Sequence, residues 1–239
     1  MKNICITKSR NKFNNNIIYY NQEANFIDID FPTISIYKHW YLYQQSINSY
    51  IINSSVISEE IITFIQEFNS NIEFIVYFDI FSDNLYQLLQ PIVKKTIVNH
   101  DINKENSIKL PKNIINDILY TNLQIPSKKN QLIYFIDNNT DLPLGLQSAL
   151  YPNTNNKIKM FNSQTVQHPQ NLGFVSEEDK KNILLESSTY CYSNPEYLAE
   201  AMLCGCKALD VEDTFDLEKC YSLELEYTTY GSFLRDNIL

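Results

Sequence analysis

The 239-residue sequence predicts an α/β fold in two lobes, each built on a parallel sheet. Three observations predict it. Short apolar runs of strand length recur with amphipathic helical stretches between them, and strands that alternate with helices pair in parallel. The runs fall into two series separated by a polar, proline-containing stretch, Asp101 to Asn130, that reads as a linker. The chain is long enough for two cores of roughly 100–130 residues each. Its 44% hydrophobic and 20% charged residues are ordinary globular material. The expected domains are therefore 1–115 and 131–239, two Rossmann-like lobes with a cleft between them.

In the first series the strands read as Asn3–Thr7, Asn16–Tyr20, Tyr50–Asn53, Glu73–Asp79 and Thr96–Asn99. Between the third and fourth, Ser58 is an N-cap and Glu59 and Glu60 favour the positive end of a helix. Ile61, Ile62, Ile65 and Phe68 form its apolar stripe. A second helix runs from Asp83 to about Gln90, where Pro91 stops it. The second series opens with Gln131–Asp137 and continues with Lys157–Asn162. A helix capped by Ser176, with Asp179 completing a weak capping box, precedes the last strands, Thr189–Tyr192 and Lys207–Val211.

Composition excludes several functions. A net charge of −9 lacks the basic footprint of a nucleic-acid binder, although local dipoles in an acidic protein can still hold a small anion. None of the four glycines (Gly145, Gly173, Gly205, Gly231) lies in the first 144 residues, so there is no G-x-G-x-x-G or Walker loop. Any phosphate site must instead use a bare helix N-terminus. The five cysteines lack C-x-x-C spacing, and Cys204 and Cys206 are too close and isolated for a four-ligand zinc site, so reduced, packed thiols are expected. The first residues lack a signal h-region, and no run approaches the roughly 20 apolar residues of a membrane span. The expected location is cytoplasmic, with at most a peripheral contact at the inner membrane face.

The most informative stretch is SSTYCYSNPEYLAEAMLCGCKAL, Ser187–Leu209. It reads as a strand, a helix with Asn194 as N-cap and Pro195 at the first position, Gly205 as left-handed C′ residue, and a second strand. Tyr197, Leu198, Ala201 and Met202 make the packing stripe; Glu196 and Glu200, four apart, share another face. The helix start would sit at the carboxyl end of a parallel strand, where such sheets bind ligands. The structural alternative is that Glu196 complements the helix dipole and Glu200 is solvated.

Asn171–Leu209 resembles the nucleotide-binding motif of GT-B glycosyltransferases. The matching features are Leu172-Gly173-Phe174, a helix through Leu184 and Leu185, the strand Thr189–Tyr192, and Glu200-Ala201-Met202-Leu203-Cys204-Gly205. The resemblance implies that Glu200 holds the ribose hydroxyls of a nucleotide-sugar donor and that Ser193, Asn194 and Pro195 lie against its diphosphate or sugar. It implies a glycan or glycolipid acceptor of the cell surface and a reaction without metal or other cofactor, while the net charge already argues against a nucleic-acid partner. The chain departs from the family in three places. Neither Tyr192 nor Ser193 supplies the second acidic residue of many retaining members. The Arg-Lys diphosphate clamp is missing as a pair, Lys157 and Lys159 being the nearest cations. TKSRNK, Thr7–Lys12, stands where the acceptor-side lobe has a glycine-rich loop.

Among the histidines, His168 precedes Gly173 and is placed to reach a base or sugar, while His39, flanked by aromatics, reads as packed. His100 follows the strand Thr96–Asn99 and Asp79 ends Glu73–Asp79; either could deprotonate an acceptor hydroxyl, His100 ahead of Asp79. An idle GT-B-like accessory subunit is the alternative to an enzyme, and a nucleotide-sugar epimerase is a third reading that no residue singles out.

Overall fold

Consecutive apolar residues become parallel strands when both faces of each strand are covered, and two sheets of this kind organise the chain. The computed structural model describes the backbone of residues 2–7, 25–28 and 47–48, and backbone and side chains of 49–136, 142–150, 158–161 and 168–237. The fold divides into two units, Met1–Lys112 with Phe233–Leu239, and Asn113–Ser232.

The first unit holds strands β1 (Lys2–Thr7), β2 (Asn25–Asp28), β3 (Ile47–Asn53), β4 (Glu73–Tyr77), β5 (Lys95–Val98) and β6 (Ser107–Lys109). They form one sheet in the order β2-β1-β3-β4-β5-β6, every pair parallel. Tyr50, Ile51 and Ile52 on β3, and Phe74, Ile75 and Val76 on β4, are all buried in succession, as a sheet covered on both faces requires. Helix α1 (Glu59–Phe68) starts where the Ser58 hydroxyl accepts from the Ile61 amide, 3.4 Å, and buries Ile61, Phe64 and Ile65. Phe64 is the ring that organises this core, edge-on to both Tyr50 and Phe74. Helix α2 (Asp83–Leu89) is capped by Ser82 and ends at Gln90. The expected strand Asn16–Tyr20 and His39 lie outside the described residues.

The second unit begins with β7 (Ile114–Ile115) and α3 (Asp117–Tyr120). Then follow β8 (Lys129–Phe135), α4 (Leu144–Leu150), β9 (Ile158–Phe161), α5 (Glu177–Glu186), β10 (Ser187–Tyr192), α6 (Leu198–Leu203), β11 (Lys207–Asp210) and β12 (Thr228–Thr229), and α7 (Tyr230–Asn237) ends the described chain. The main sheet runs β11-β10-β8-β9, all parallel, and β7 pairs with β12 in a separate parallel ribbon. Side chains alternate across the sheet: Ile133, Phe135, Tyr190 and Ala208 enter one buried cluster, Leu132, Tyr134, Cys191 and Leu209 the other. The architecture is thus α/β with two Rossmann-like parallel sheets.

The stretch read as a linker is structured. β6 extends the first sheet beside β5, and the Tyr86 hydroxyl donates to the Glu105 carbonyl. Further on, Asn116 is buried and caps α3 by accepting from the amides of Ile118 and Leu119. Its polar residues serve as caps and turn formers, which composition alone does not separate from solvated linker.

Candidate functional site

Strand order locates the crevice in the second unit. The chain steps from β8 to β9 on one side, then to β10 and β11 on the other, so the order reverses between β8 and β10. Open parallel sheets bind ligands outside the carboxyl ends of the strands at such a reversal. The loop leaving β10 there is Ser193–Tyr197. Ser193 and Tyr134 share a hydrogen bond of 3.0 Å between their hydroxyls, which ties this loop to β8. Asn194 is exposed, and Pro195 and Glu196 are half-buried.

The helix after this loop starts later than Asn194 and Pro195 suggest. Pro195 to Tyr197 is a turn, closed by the Leu198 amide donating to the Pro195 carbonyl at 3.1 Å. Helix α6 spans only Leu198–Leu203; its N-cap is Tyr197, at φ −107 and ψ 17, with no side-chain cap bond. Glu196 therefore lies outside the helix, and the shared helical face expected of Glu196 and Glu200 does not form. The far end does follow its signals. Gly205 takes φ +74, its amide donates to the Met202 carbonyl and the Cys206 amide to the Ala201 carbonyl, a Schellman ending.

At this late start Tyr197 belongs to a buried polar triangle absent from the sequence reading. Lys180 of α5 is fully buried, and its ammonium donates to Glu177 Oε1 at 2.8 Å and to the Tyr197 hydroxyl at 2.7 Å. The Tyr197 hydroxyl donates in turn to Glu177 Oε1 at 3.1 Å. The ammonium also lies 4.5 Å from the Tyr197 ring centroid and 5.8 Å from that of Phe135. Burial first, and then the Glu177 carboxylate, push the Tyr197 phenol well above its ordinary range, so it stays a donor. Tyr190, beneath the loop, is raised by burial and then by Glu196. The one legible signal was the Glu177–Lys180 spacing of three on a helix.

Glu200 is 1% exposed, so the solvated alternative for it does not hold. Ala199 and Ala201 beside it are also buried, and α6 is covered nearly all round. Gly173 sits at φ +80 with open space around it, its amide donating to Asn171 Oδ1 at 3.2 Å; Asn171 bridges to Met160 of β9. His168 Nδ1 accepts from the Gln170 amide at 3.2 Å in the turn before that bridge. Lys159, on β9, is exposed. Ser193 to Glu196 are thus grouped at the reversal, whereas Gly173, His168 and Lys159 belong to the β9 edge of the same sheet.

In the first unit, Asp79 and His100 follow the neighbouring strands β4 and β5 at the carboxyl edge of the sheet. Asp79 Oδ1 accepts from the Ser54 hydroxyl and from the Ile80 amide, both at 2.9 Å, and is half-buried. His100 is exposed in a turn. Asp79 is therefore held in place by its neighbours, and Ser54, its partner beyond β3, was not singled out from the sequence. Among the described residues no group of three or more His, Cys, Asp or Glu is placed to hold a metal ion, and no helix is long and apolar enough to cross a membrane. Cys191, Cys204, Cys206 and Cys220 are free thiols. Comparison with protein-family models gives no match, and comparison with curated proteins gives none either.

Proposed function

We propose that the chain is a GT-B-type glycosyltransferase that moves a sugar from a nucleotide-sugar donor to a cell-surface glycan or glycolipid. The observation that carries this reading is the strand-order reversal between β8 and β10, because the loop that departs there, Ser193–Glu196, contains the residues that the family resemblance assigns to the donor. Ser193 and Asn194 would hydrogen-bond the diphosphate or sugar, and Glu200 the ribose. Gly173, His168 and Lys159 would border the base or sugar from the β9 edge. Hydrogen bonds to the departing diphosphate would offset the charge it develops. In the first unit Asp79, held by Ser54, or His100 would take the acceptor proton if the reaction inverts.

A second reading, an idle GT-B-like accessory subunit, draws on one observation: Glu200 is buried, not presented to a ligand. Calorimetric titration of wild type and Glu200→Gln with uridine, guanosine, adenosine and cytidine diphosphates tests both. Hydrogen bonds to a charged group are worth about 1.5–3 kcal/mol, so the variant should bind about one to two orders of magnitude more weakly. If wild type binds none of the four, the transferase reading fails. If wild type binds but Glu200→Gln binds equally, the ribose assignment fails.

A further inference from the structure

The segment from Tyr221 to Tyr227 follows a short 3-10 turn, Leu217–Lys219, and meets the outer edge of the second unit's sheet at Tyr221. Both the amide and the carbonyl of Tyr221 bond to Ala208 of β11, at 3.0 and 2.7 Å, an antiparallel bridge that makes this segment, and not β11, the outermost backbone. In an antiparallel hydrogen-bonded pair the next residue turns its amide and carbonyl the other way, so those of Ser222 face outward. Among the described residues no protein group hydrogen-bonds the backbone of Ser222, Leu223, Glu224 or Leu225. An unpaired edge of this kind is a template for pairing with another chain.

Its side chains alternate. Leu225 packs against the core of the unit, while Tyr221, Leu223 and Tyr227 remain exposed, Tyr227 by 49%. Ser222, Glu224 and Glu226 occupy the intervening positions. Beside Tyr221 opens a cleft of about 300 Å³ lined by Asp210, Glu212, Asp213, Thr214 and Lys219. Between Asp210 and Glu226 there are seven carboxylates and one cation, Lys219, which already pairs with Asp216 at 3.8 Å.

We propose that Tyr221–Tyr227 is a docking strip for a basic, extended segment of a partner protein, whose apolar side chains cover Tyr221, Leu223 and Tyr227 and whose cationic side chain enters the cleft beside Tyr221. Charge decides the occupant. A second copy of this chain, at −9, would be repelled, as would an anionic lipid surface or a nucleic acid.

The test uses the full chain and a fluorescent peptide of alternating valine and lysine with one central arginine. Its comparators are an oligolysine of equal charge and the same peptide N-methylated at alternate amides. Anisotropy should show the alternating peptide binding at least about tenfold more tightly than either comparator, since apolar anchors and backbone pairing add to charge. The paired change Leu223→Ser/Tyr227→Ser, and separately Glu224→Lys/Glu226→Lys, should each weaken it by about tenfold or more, and both pairs are exposed enough to leave the fold intact. Absence of binding overturns the proposal. So does equal binding of oligolysine or of the methylated peptide, a comparison that needs no variant. Binding to phosphatidylglycerol vesicles, or self-association in sedimentation, that the same substitutions abolish would assign the strip to another occupant and also overturn it.

Discussion

Replacing Lys180 by methionine perturbs the buried triangle at its cation and keeps most of the side chain's volume. The ammonium is fully buried and within 2.8 Å of both Glu177 Oε1 and the Tyr197 hydroxyl. Its loss leaves the Glu177 carboxylate, 5% exposed, without its counter-charge. Removing one partner of a buried ion pair costs about 3–5 kcal/mol. Two features pull the expectation to the lower end. Glu177 is the first residue of α5, where the helix dipole favours an anion by about 0.3–1 kcal/mol, and Tyr197 still donates to it. About 3 kcal/mol should lower the melting temperature of the second unit, Asn113–Ser232, by roughly 9–18 °C. Differential scanning calorimetry reads this, with hydrogen exchange of peptides from α5 and β10 to localise the change. Adding Glu177→Met should recover part of the loss, because a buried pair exchanged for apolar groups of similar volume is often neutral. A loss below about 1 kcal/mol in Lys180→Met, or a double variant as costly as the sum of the singles, would refute the argument that the triangle is a paired, desolvated unit.

Glycine and cysteine positions give three further expectations. Gly145→Ala should destabilise far more than Gly205→Ala in urea titrations: a methyl at Gly145 would sit 2.3 Å from the Val211 carbonyl oxygen and 2.7 Å from backbone of Thr214. At Gly205 it meets only ordinary contacts, and the cost is the left-handed φ, about 1–2 kcal/mol. Burial pushes the Cys206 thiol up to about 11 and the Cys204 thiol to about 12, from 9.0, so both should resist a thiol reagent in the native protein at pH 8 while half-buried Cys220 reacts first. Because these acids ionise in the unfolded chain before they do in the folded one, their contribution to stability is fully present below about pH 9 and should be lost as pH rises toward about 12. Rapid native labelling of Cys206, or stability rising over that range, would contradict the burial.

The strands were the legible part of the fold, for a physical reason. A strand covered on both faces, such as β4, reads as an unbroken apolar run, and no turn chemistry interrupts it. Caps were legible where a single hydroxyl decides the helix start, as at Ser58 and Ser176, whose Oγ accepts from the Asp179 amide at 3.1 Å. Strands of two or three residues, β6, β7 and β12, are too short to show a period and vanished into apparent linker or loop, and the strand β2 was missed as well. The Asn194-Pro195 pair obeys local capping preferences, yet α6 starts only at Leu198, next to a Tyr197 whose hydroxyl is held by α5, a contact that local sequence does not show. Helix α5 was legible as a helix but not in its orientation. Its buried residues Glu177, Lys180 and Leu184 do fall at i, i+3 and i+7, but two of the three are charged, so a hydrophobicity reading assigns that face to solvent.

The burial of Glu200 sharpens what donor binding has to look like. On the proposed reading, a carboxylate 1% exposed would meet a ribose only if side chains above it moved, and the binding-competent state would be a minor population of the free protein. The apparent dissociation constant is then the intrinsic one divided by the competent fraction. Ser193 and Asn194, which need no such opening, would contact the diphosphate first. Nucleoside diphosphates should therefore change hydrogen exchange in two places, protecting Ser193–Tyr197 directly and altering Leu198–Leu203 through the opening at Glu200. In Glu200→Gln the first effect should persist at higher ligand concentration. A ligand that protects the loop in wild type and variant at the same concentration, and leaves α6 untouched, would place the diphosphate at the crevice while removing Glu200 from the ribose.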